Sequence, residues 1–536
     1  MDRQSEYVLR TVEERGVRFV RLWFTDVLGS LKSFAITPAE LETALEEGMT
    51  FDGSAIEGYS RIQESDVLAV PDASTFEIVP WRGDDDPVAR MFCDIQHFDG
   101  TPFAGDPRHV LRRNLEAALE RGFTFFVGPE MEFYYFRSSR KPKPVDRAGF
   151  FDLTHTDMTS ELRRQTITML EHMGIPVEYS FHENGPGQHE IDLRYTDALT
   201  MADNVMTFRL IVKQIASAGG VHATFMPKPI EDAFGSGMHC HLSLEKDGAN
   251  AFADAGDETG LSETGKRFIA GLLHHAPEIT AVTNQTVNSY KRLIMGYEAP
   301  TYISWARNNE SALVRVPPAK RGKESSTRIE FRSPDPACNP YLALAVVLRA
   351  GLDGLEGQLL VTRDDDGAGD RRKILCDAGR FATQRLAKRI ERVPVRLAAD
   401  QQHLVDVGRI ELGILDRQTA GLDGALDDGR RERPGLVHEA VRRVHGRGEA
   451  GWHAPRRQHG HPPRRPSRHH GVHHLQGRPH ADRELQHLGR RDGDVHEGAG
   501  EQRLVRPGGP GDEEGDRPAR GPCRVGQDDR GRVADG

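Results

Sequence analysis

Between Val17 and Ile36 the chain reads as a hairpin. Val17-Arg18-Phe19-Val20-Arg21-Leu22-Trp23-Phe24 has an alternating pattern, Leu28-Gly29 marks a turn, and the pattern resumes from Leu31 to Ile36. Short strands and Pro/Gly breaks continue, so a small β-rich N-terminal domain over residues 1–100 is expected. After it the pattern changes. Asp106-Pro107 has the form of a helix N-cap followed by proline at the first helical position, and Val110, Leu111, Leu115, Ala118 and Leu119 form an apolar stripe closed by Gly122. Phe123–Val127 and Glu130–Phe136 are aromatic and β-branched enough to be strand. Helix then strand recurs: 159–173 leads through Gly174 to Val177-Glu178-Tyr179, and 197–218 through Gly219-Gly220 to Ala223-Thr224-Phe225. A second domain over residues 101–356 is therefore expected, with helices flanking a sheet, giving an α+β chain.

Past residue 356 the character of the sequence shifts. No Tyr or Asn follows Tyr341, no Phe follows Phe381 and no Lys follows Lys388, while Arg, His, Gly, Asp and Pro accumulate, as in His469-His470-Gly471-Val472-His473-His474. Residues 357–400 give no clear element. Residues 401–536 are too poor in large apolar side chains to offset the entropy of ordering, so disorder is expected there. Codons for Lys, Asn, Phe, Tyr and Ile are A/T-rich, which fits a G/C-rich gene read out of frame; a His-rich metal-binding tail is the competing reading.

Bulk composition narrows the class. At 536 residues the chain exceeds one ordinary domain. Its five cysteines are scattered, unpaired in sequence and odd in number, which argues for a reducing compartment. The first residues include no apolar run of signal-peptide length and no segment reaches the ~18 uninterrupted apolar residues of a membrane span, so a cytoplasmic protein is expected. A net charge of −10 argues against general affinity for nucleic acid.

The chemistry lies in short polar triplets within the predicted strands. Glu130-Met131-Glu132, His239-Cys240-His241 and Glu330-Phe331-Arg332 each send residues i and i+2 to one face, roughly 6–7 Å apart. Carboxylates, imidazoles and a guanidinium crowded together repel and resist desolvation unless cations or a charged substrate compensate them. With Glu183 and Glu190 added, Glu130, Glu132, Glu330 and His239 make a donor set of oxygens plus one imidazole, suited to Mg²⁺ or Mn²⁺ rather than zinc or copper. A Glu-x-Glu alone is more often an ordinary surface strand.

Further segments remove that doubt: Phe51-Asp52-Gly53-Ser54, Gly128-Pro129-Glu130, His182-Glu183 with Gly187-Gln188-His189-Glu190, Met226-Pro227-Lys228-Pro229, Gly235-Ser236-Gly237-Met238-His239, Asn288-Ser289-Tyr290-Lys291-Arg292, Gly296-Tyr297-Glu298-Ala299-Pro300 and Asn339-Pro340-Tyr341. In this order they closely resemble the glutamine synthetase family in its bacterial type I form. The resemblance implies a β-grasp-like N-terminal domain, a catalytic domain with a curved antiparallel sheet, and a ring assembly whose active sites lie between subunits. It also implies ATP-dependent ligation of ammonia to the γ-carboxylate of glutamate through γ-glutamyl phosphate. By the same resemblance Glu132, Glu183 and Glu190 hold one divalent ion and Glu130, His239 and Glu330 the other. His241, Ser243 and Arg328 contact the nucleotide, Arg315 assists phosphoryl transfer, and Gly235, Arg292 and Arg332 receive glutamate. Asp52, from a neighbouring subunit, deprotonates ammonium, and Glu298 closes over the intermediate.

The chain departs from the family pattern at Ala55, Phe150, Phe234 and Glu310, where serine, tyrosine, asparagine and arginine are usual. These positions surround the amine and glutamate ends, which opens a second expectation: a γ-glutamylpolyamine or γ-glutamylethanolamide synthetase using the same acyl-phosphate chemistry. A non-catalytic scaffold is the third, and its expected signature, lost metal ligands, is absent. The resemblance implies a homo-oligomer, a hexamer or a dodecamer of two stacked hexameric rings; the family's C-terminal helices are not recognisable after residue 356, so assembly beyond a hexamer is not expected.

Overall fold

The computed structural model describes residues 2–361, except 55, 57, 60–65, 83–85, 154–157, 320–321, 324–325 and 360. The expectations for Ala55 and for residues 362–536 lie outside the described residues.

The N-terminal domain begins with a helix that the alternation pattern did not mark, α1 (Arg3–Glu14), capped by Asp2 accepting from Ser5 N–H. β1 (Phe19–Thr25) and β2 (Leu31–Ile36) then form the expected antiparallel hairpin. After α2 (Leu41–Glu47) come β3 (Met49–Asp52), β4 (Asp66–Pro71), β5 (Glu77–Ile78) and β6 (Val88–Gln96). The strand order is β2-β1-β6-β4-β3 with β5 on β6, and β6 lies parallel to β1. Val20, Leu22, Ala69, Met91 and Ile95 fill one core beneath it. The sheet thus closes over α1 and α2 with the first and last long strands side by side, a β-grasp arrangement.

The second domain opens at α3 (Pro107–Leu119), whose N-cap Asp106 accepts from Arg108 N–H. Leu111 and Ala118 are buried as the stripe requires, but Leu119 is 65% exposed, and the charged Arg108 takes a buried place on this helix. The two apolar segments before and after Gly128-Pro129 are one strand, β7 (Thr124–Ser138). Then follow β8 (Lys141–Pro144), α4 (Met158–His172), β9 (Val177–His182), β10 (Gln188–Leu193), β11 (Thr196–Asp197), α5 (Ala198–Ala218), β12 (His222–Thr224), β13 (Met238–Lys246) and β14 (Ala249–Asn250). The last elements are α6 (Glu263–Thr283), α7 (Val287–Arg292), β15 (Tyr302–Ala306), β16 (Ala312–Arg315), β17 (Ile329–Phe331) and α8 (Pro340–Glu356).

Its large sheet runs β15-β16-β17-β13-β7-β10-β9, antiparallel apart from the β15–β16 pair. β7 is its spine because its length lets β8, β10, β11, β12 and β13 pair along it. One face is apolar: Met131, Phe133, Ile191, Cys240 and Phe331 are all at most 1% exposed and join the core beneath α5, α6 and α8. By strand alternation the opposite face then carries Glu130, Glu132, Glu190, Asp192, His239, His241, Ser243 and Glu330. No helix among the described residues is long and apolar enough to cross a membrane.

Candidate active site

Register decides which of these polar groups meet. β10 sets Glu190 opposite Glu132 and Asp192 opposite Glu130; β13 sets His239 opposite Glu130; β17 sets Glu330 opposite His241, and β16 sets Arg315 opposite Glu330. Directly opposed residues share a face and approach closely, so the predicted groups converge on one patch. Glu130 Oε2 lies 3.1 Å from His239 Nδ1, and Glu130 Oε1 lies 2.6 Å from His241 Nε2. His239 Nε2 lies 3.6 Å from Glu132 Oε1 and its Nδ1 3.7 Å from Glu330 Oε1. Arg328 Nε donates to His241 Nδ1 at 3.1 Å. Arg315 and Arg332 both donate to Glu330. Arg292 reaches in from α7, its Nη2 3.4 Å from His239 Nε2 and 3.0 Å from Arg332 O.

Two glycines make this approach possible. A Cβ on Gly237 would stand 2.6 Å from both Arg292 Nη2 and His239 Nε2, and one on Gly235 would stand 2.7 Å from Pro227 O and 2.8 Å from Arg292 Cγ. Neither position has room for a side chain. The loop is held from below by Gln188, whose Nε2 donates to Gly235 O at 2.9 Å and to Glu132 Oε2 at 3.0 Å, while its Oε1 accepts from Gly185 N–H at 3.0 Å.

Charge on the face is uneven. Glu330 is buried, yet Arg332 holds its carboxyl below the usual range, and hydrogen bonds from His239 and His241 keep Glu130 well below it despite burial. Glu132, Glu190 and Asp192 go the other way. Burial and Glu183 push Glu132 up to about 8. Burial and Glu130 push Asp192 up to about 8. Glu190 is raised well above its ordinary value by burial and by Asp192. Glu183, raised by burial and by Glu298 among other charges, stands at the end of β9 with Asn184 N–H on its Oε2 at 2.7 Å. The arginines therefore compensate the β17 side, while the β10 side holds carboxylates that lack an equivalent number of cations.

This donor set fits divalent metal ions. Glu130, His239 and Glu330 offer ligand atoms all within 4.8 Å of one another, matching one expected trio. On the other side Glu130, Glu190 and Asp192 offer ligand atoms within the same reach. In the other expected trio, Glu183 raises Glu132, and Glu132 and Glu183 both raise Glu190. Asp192 and Gln188 are not among the site residues the sequence points to, although Gln188 lies within the Gly187-Gln188-His189-Glu190 segment and Asp192 stands two residues from Glu190 and obeys the same alternation rule. A third group, Asp146, His182 and His189, does not suit a metal: Arg163 Nη1 donates to His189 Nδ1 at 2.7 Å, so the neutral ring carries its proton on Nε2.

The remaining predicted residues are placed as follows. Ser243 lies on the His241 face two residues along β13. Glu298 sits on the loop before β15 with a left-handed φ of 60°, its Oε2 3.4 Å from Asn184 Nδ2, so it adjoins Glu183. Asp52 is exposed at the end of β3, accepting from Ser54 N–H at 2.8 Å, within the N-terminal domain. Phe150 is 49% exposed and packs with Phe151 and Phe181. Phe234 meets Tyr297, and Glu310 is an exposed carboxylate 3.8 Å from Arg315 Nη1.

Comparison with known proteins agrees with this geometry. The family model described as "Glutamine synthetase, catalytic domain" matches residues 104–407, and "Glutamine synthetase, beta-Grasp domain" matches residues 16–97. The catalytic match thus runs beyond the Asn339-Pro340-Tyr341 motif. A glutamine synthetase of Mycobacterium bovis is 57% identical over 377 residues, covering 69% of this chain and 84% of that protein. A solved structure described as a GmaS/ADP complex is 31% identical with a TM-score of 0.67, covering 76% of this chain and 96% of its own. The Plasmodium falciparum glutamine synthetase, 22% identical, has the same fold with a TM-score of 0.67 over 79% of this chain and 97% of its own. With a carboxylate face whose donors suit divalent ions on a β-grasp-plus-sheet scaffold and these matches across both domains, the chain belongs to the glutamine synthetase family.

Proposed function

We propose that this face joins ammonia to the γ-carboxylate of glutamate at the expense of ATP, giving glutamine, ADP and phosphate. The observation that carries the reading is the junction of two environments: carboxylates raised by burial and by neighbouring carboxylates on β7, on β10 and just after β9, and the buried arginines Arg292 and Arg332 beside them. Arg332 Nε is buried without a hydrogen-bond partner, a donor ready for a substrate carboxylate. A carboxylate oxygen leaves only after activation, and transfer of the γ-phosphoryl of ATP to it makes γ-glutamyl phosphate.

The donor set would hold Mg²⁺ or Mn²⁺: Glu130, His239 and Glu330 at one position, and Glu132, Glu183 and Glu190 at the other with Asp192 alongside. When bound, such ions neutralise the charge of the migrating phosphoryl group. His241, Ser243 and Arg328 line the nucleotide end, and Arg315 faces the transferred group. Arg292, Arg332 and the backbone of Gly235 orient glutamate. Glu298 covers the centre and takes up charge from the attacking amine, while Asp52, contributed by a second copy of the chain in a ring, removes a proton from ammonium. Ammonia then adds to the acyl carbon, phosphate leaves and a proton is released.

A second reading, a longer amine as acceptor, has its own observation. Phe150, Phe151, Tyr179 and Phe181 form a half-exposed aromatic group, and register sets Tyr179 opposite Asp192 and Phe181 opposite Glu190. Aromatic faces beside carboxylates suit an alkylammonium ion. Phosphate release from ATP plus glutamate, compared with ammonia, ethanolamine, putrescine and spermine, decides between them. Ammonia-dependent turnover is expected; turnover with polyamine alone would favour the second reading, and no glutamate-dependent ADP with any acceptor would overturn both. Light scattering after size-exclusion chromatography tests the ring, for which a hexamer is expected.

A further inference from the structure

Phe234 stands where the family pattern has an amide, and its surroundings give the aromatic ring a task of its own. It meets the Tyr297 ring edge to face, centroids 5.7 Å apart at 87°. Lys228 lies over that same ring, Nζ 3.5 Å from the centroid, and donates to Ala233 O. The platform under these groups is rigid. Lys228 N–H donates to Asn288 Oδ1 at 2.6 Å, Asn288 Nδ2 returns a bond to Lys228 O at 3.0 Å, and Tyr134 OH donates to Phe234 O at 2.7 Å. Ser236 N–H closes the loop onto Pro227 O at 2.8 Å.

Tyr297 immediately precedes Glu298, the residue whose backbone occupies the left-handed region. A glutamate remains there only where its neighbours hold it. On one side the hold is weak, a 3.4 Å contact from Asn184 to a side chain that is largely exposed. Docking of Tyr297 is the stronger constraint, because edge-to-face packing and a cation over the ring are both attractive and both directional.

We propose that Phe234, Tyr297 and Lys228 form a tie that positions Glu298 over the reaction centre and keeps water from the activated acyl group. The proposal rests on the acyl-phosphate reading above. Loosening the tie admits water: its oxygen adds to the acyl carbon, the acyl C–O bond to phosphate breaks, glutamate and inorganic phosphate form, and a proton goes to solvent. ATP is then consumed without an amide product. The three are positioning residues, and the quantity they govern is the ratio of phosphate released to glutamine made.

The test measures that ratio with saturating ATP, glutamate and ammonia in the full chain and in Phe234→Ala, Tyr297→Ala, Lys228→Met and Tyr297→Phe. A ratio near one is expected for the unaltered protein, several-fold higher in the two alanine variants, intermediate in Lys228→Met and restored in Tyr297→Phe, which keeps the ring. Hydrogen exchange of the amides of 296–299 is read on the same samples and should quicken in step. Unchanged ratio and exchange in folded Phe234→Ala and Tyr297→Ala would overturn the tie. Should the unaltered protein release no phosphate with glutamate, the acyl-phosphate reading fails by itself, and unaltered exchange at 296–299 then decides against the tie.

Discussion

Two buried clusters of charge in this protein look alike in composition and behave oppositely. At the boundary between the domains, Arg108 donates to Asp203 Oδ2 at 3.0 Å, Asp94 Oδ1 at 2.6 Å and Asp72 Oδ2 at 2.8 Å; Arg112 adds a bond to Asp94 at 2.9 Å and Tyr341 OH one to Asp203 at 2.6 Å. Asp94 belongs to β6 and Asp72 follows β4 in the β-grasp domain; the arginines belong to α3, Asp203 to α5 and Tyr341 to α8. Carboxylates and guanidinium groups there compensate one another, and Arg108 is held well above its usual pKa despite burial. On the β10 side of the candidate catalytic face, burial pushes Glu132, Glu190 and Asp192 up, with Glu183 adding to Glu132, Asp192 to Glu190 and Glu130 to Asp192. A cluster that completes itself fixes structure, whereas one left short of cations needs protons or a bound cation to be stable.

The largest expected effects separate the two. Arg108→Met leaves Asp72, Asp94 and Asp203 facing each other at low exposure and should destabilise the fold by about 3–5 kcal/mol, read by denaturant unfolding. Glu190→Gln should have the reverse sign on stability of the metal-free protein while abolishing ligation, because it removes a carboxyl that burial and neighbouring carboxylates disfavour when charged, together with a proposed metal ligand. Glu130→Ala should also abolish ligation. A destabilised Glu190→Gln, or active Glu130→Ala, would contradict the contrast.

Dependence on pH follows with opposite slopes. Burial raises Asp72, but Arg108, the Ser74 hydrogen bond and Arg112 together lower it on balance, so its contribution is present above its ordinary carboxylate value and lost as pH falls through the lowered one. Glu132 and Asp192 are raised to about 8 from ordinary values of 4.5 and 3.8, so in the metal-free protein the folded state binds more protons than the unfolded state between those limits. Stability from this face is present at low pH and is lost as pH rises toward 8. Thermal unfolding with a chelator should therefore show a declining midpoint from pH 6 to pH 8, and Mg²⁺ or Mn²⁺ should restore more at pH 8 than at pH 6. Equal rescue at both values would argue against metal binding by the raised carboxylates.

A smaller effect belongs to Gln188, which couples the metal face to the loop of Gly235. Gln188→Met keeps the volume and removes both donations, so Mn²⁺ affinity of the substrate-free protein, measured by equilibrium titration, should fall ~10-fold, as for outer partners of metal ligands. An increased KM for glutamate should accompany it while KM for ATP changes little.

What the sequence disclosed depended on how local the cause was. Period-two alternation put Glu130 with Glu132 and His239 with His241 on one face without knowledge of the fold, and the Asp106-Pro107 cap needed only a neighbouring N–H. Gln188 was not legible as a coupling group, because its task depends on β10 lying against β7 and on a loop nearly fifty residues away. Arg108 reads as a solvent-facing helix residue until Asp72 and Asp94 arrive from another domain. Leu119 shows the converse error: it fits the apolar stripe by spacing, yet α3 ends there and leaves it in solvent.

The smallest expected effect returns to the arginine side of the face, where compensation is uneven in depth. Arg315 is shared between buried Glu330 and Glu310, a carboxylate 63% exposed. An exposed pair contributes only ~0–1 kcal/mol, and Arg315 keeps its buried partner, so Glu310→Ala should leave the unfolding midpoint nearly unchanged. It does remove a negative charge beside the proposed phosphoryl-transfer arginine. A modestly lower KM for ATP is therefore expected at low ionic strength, fading as salt shortens the screening length to about 8 Å at physiological strength. A KM that rises instead would mean that Glu310 assists binding, as a carboxylate would if it met the second positive charge of a longer amine.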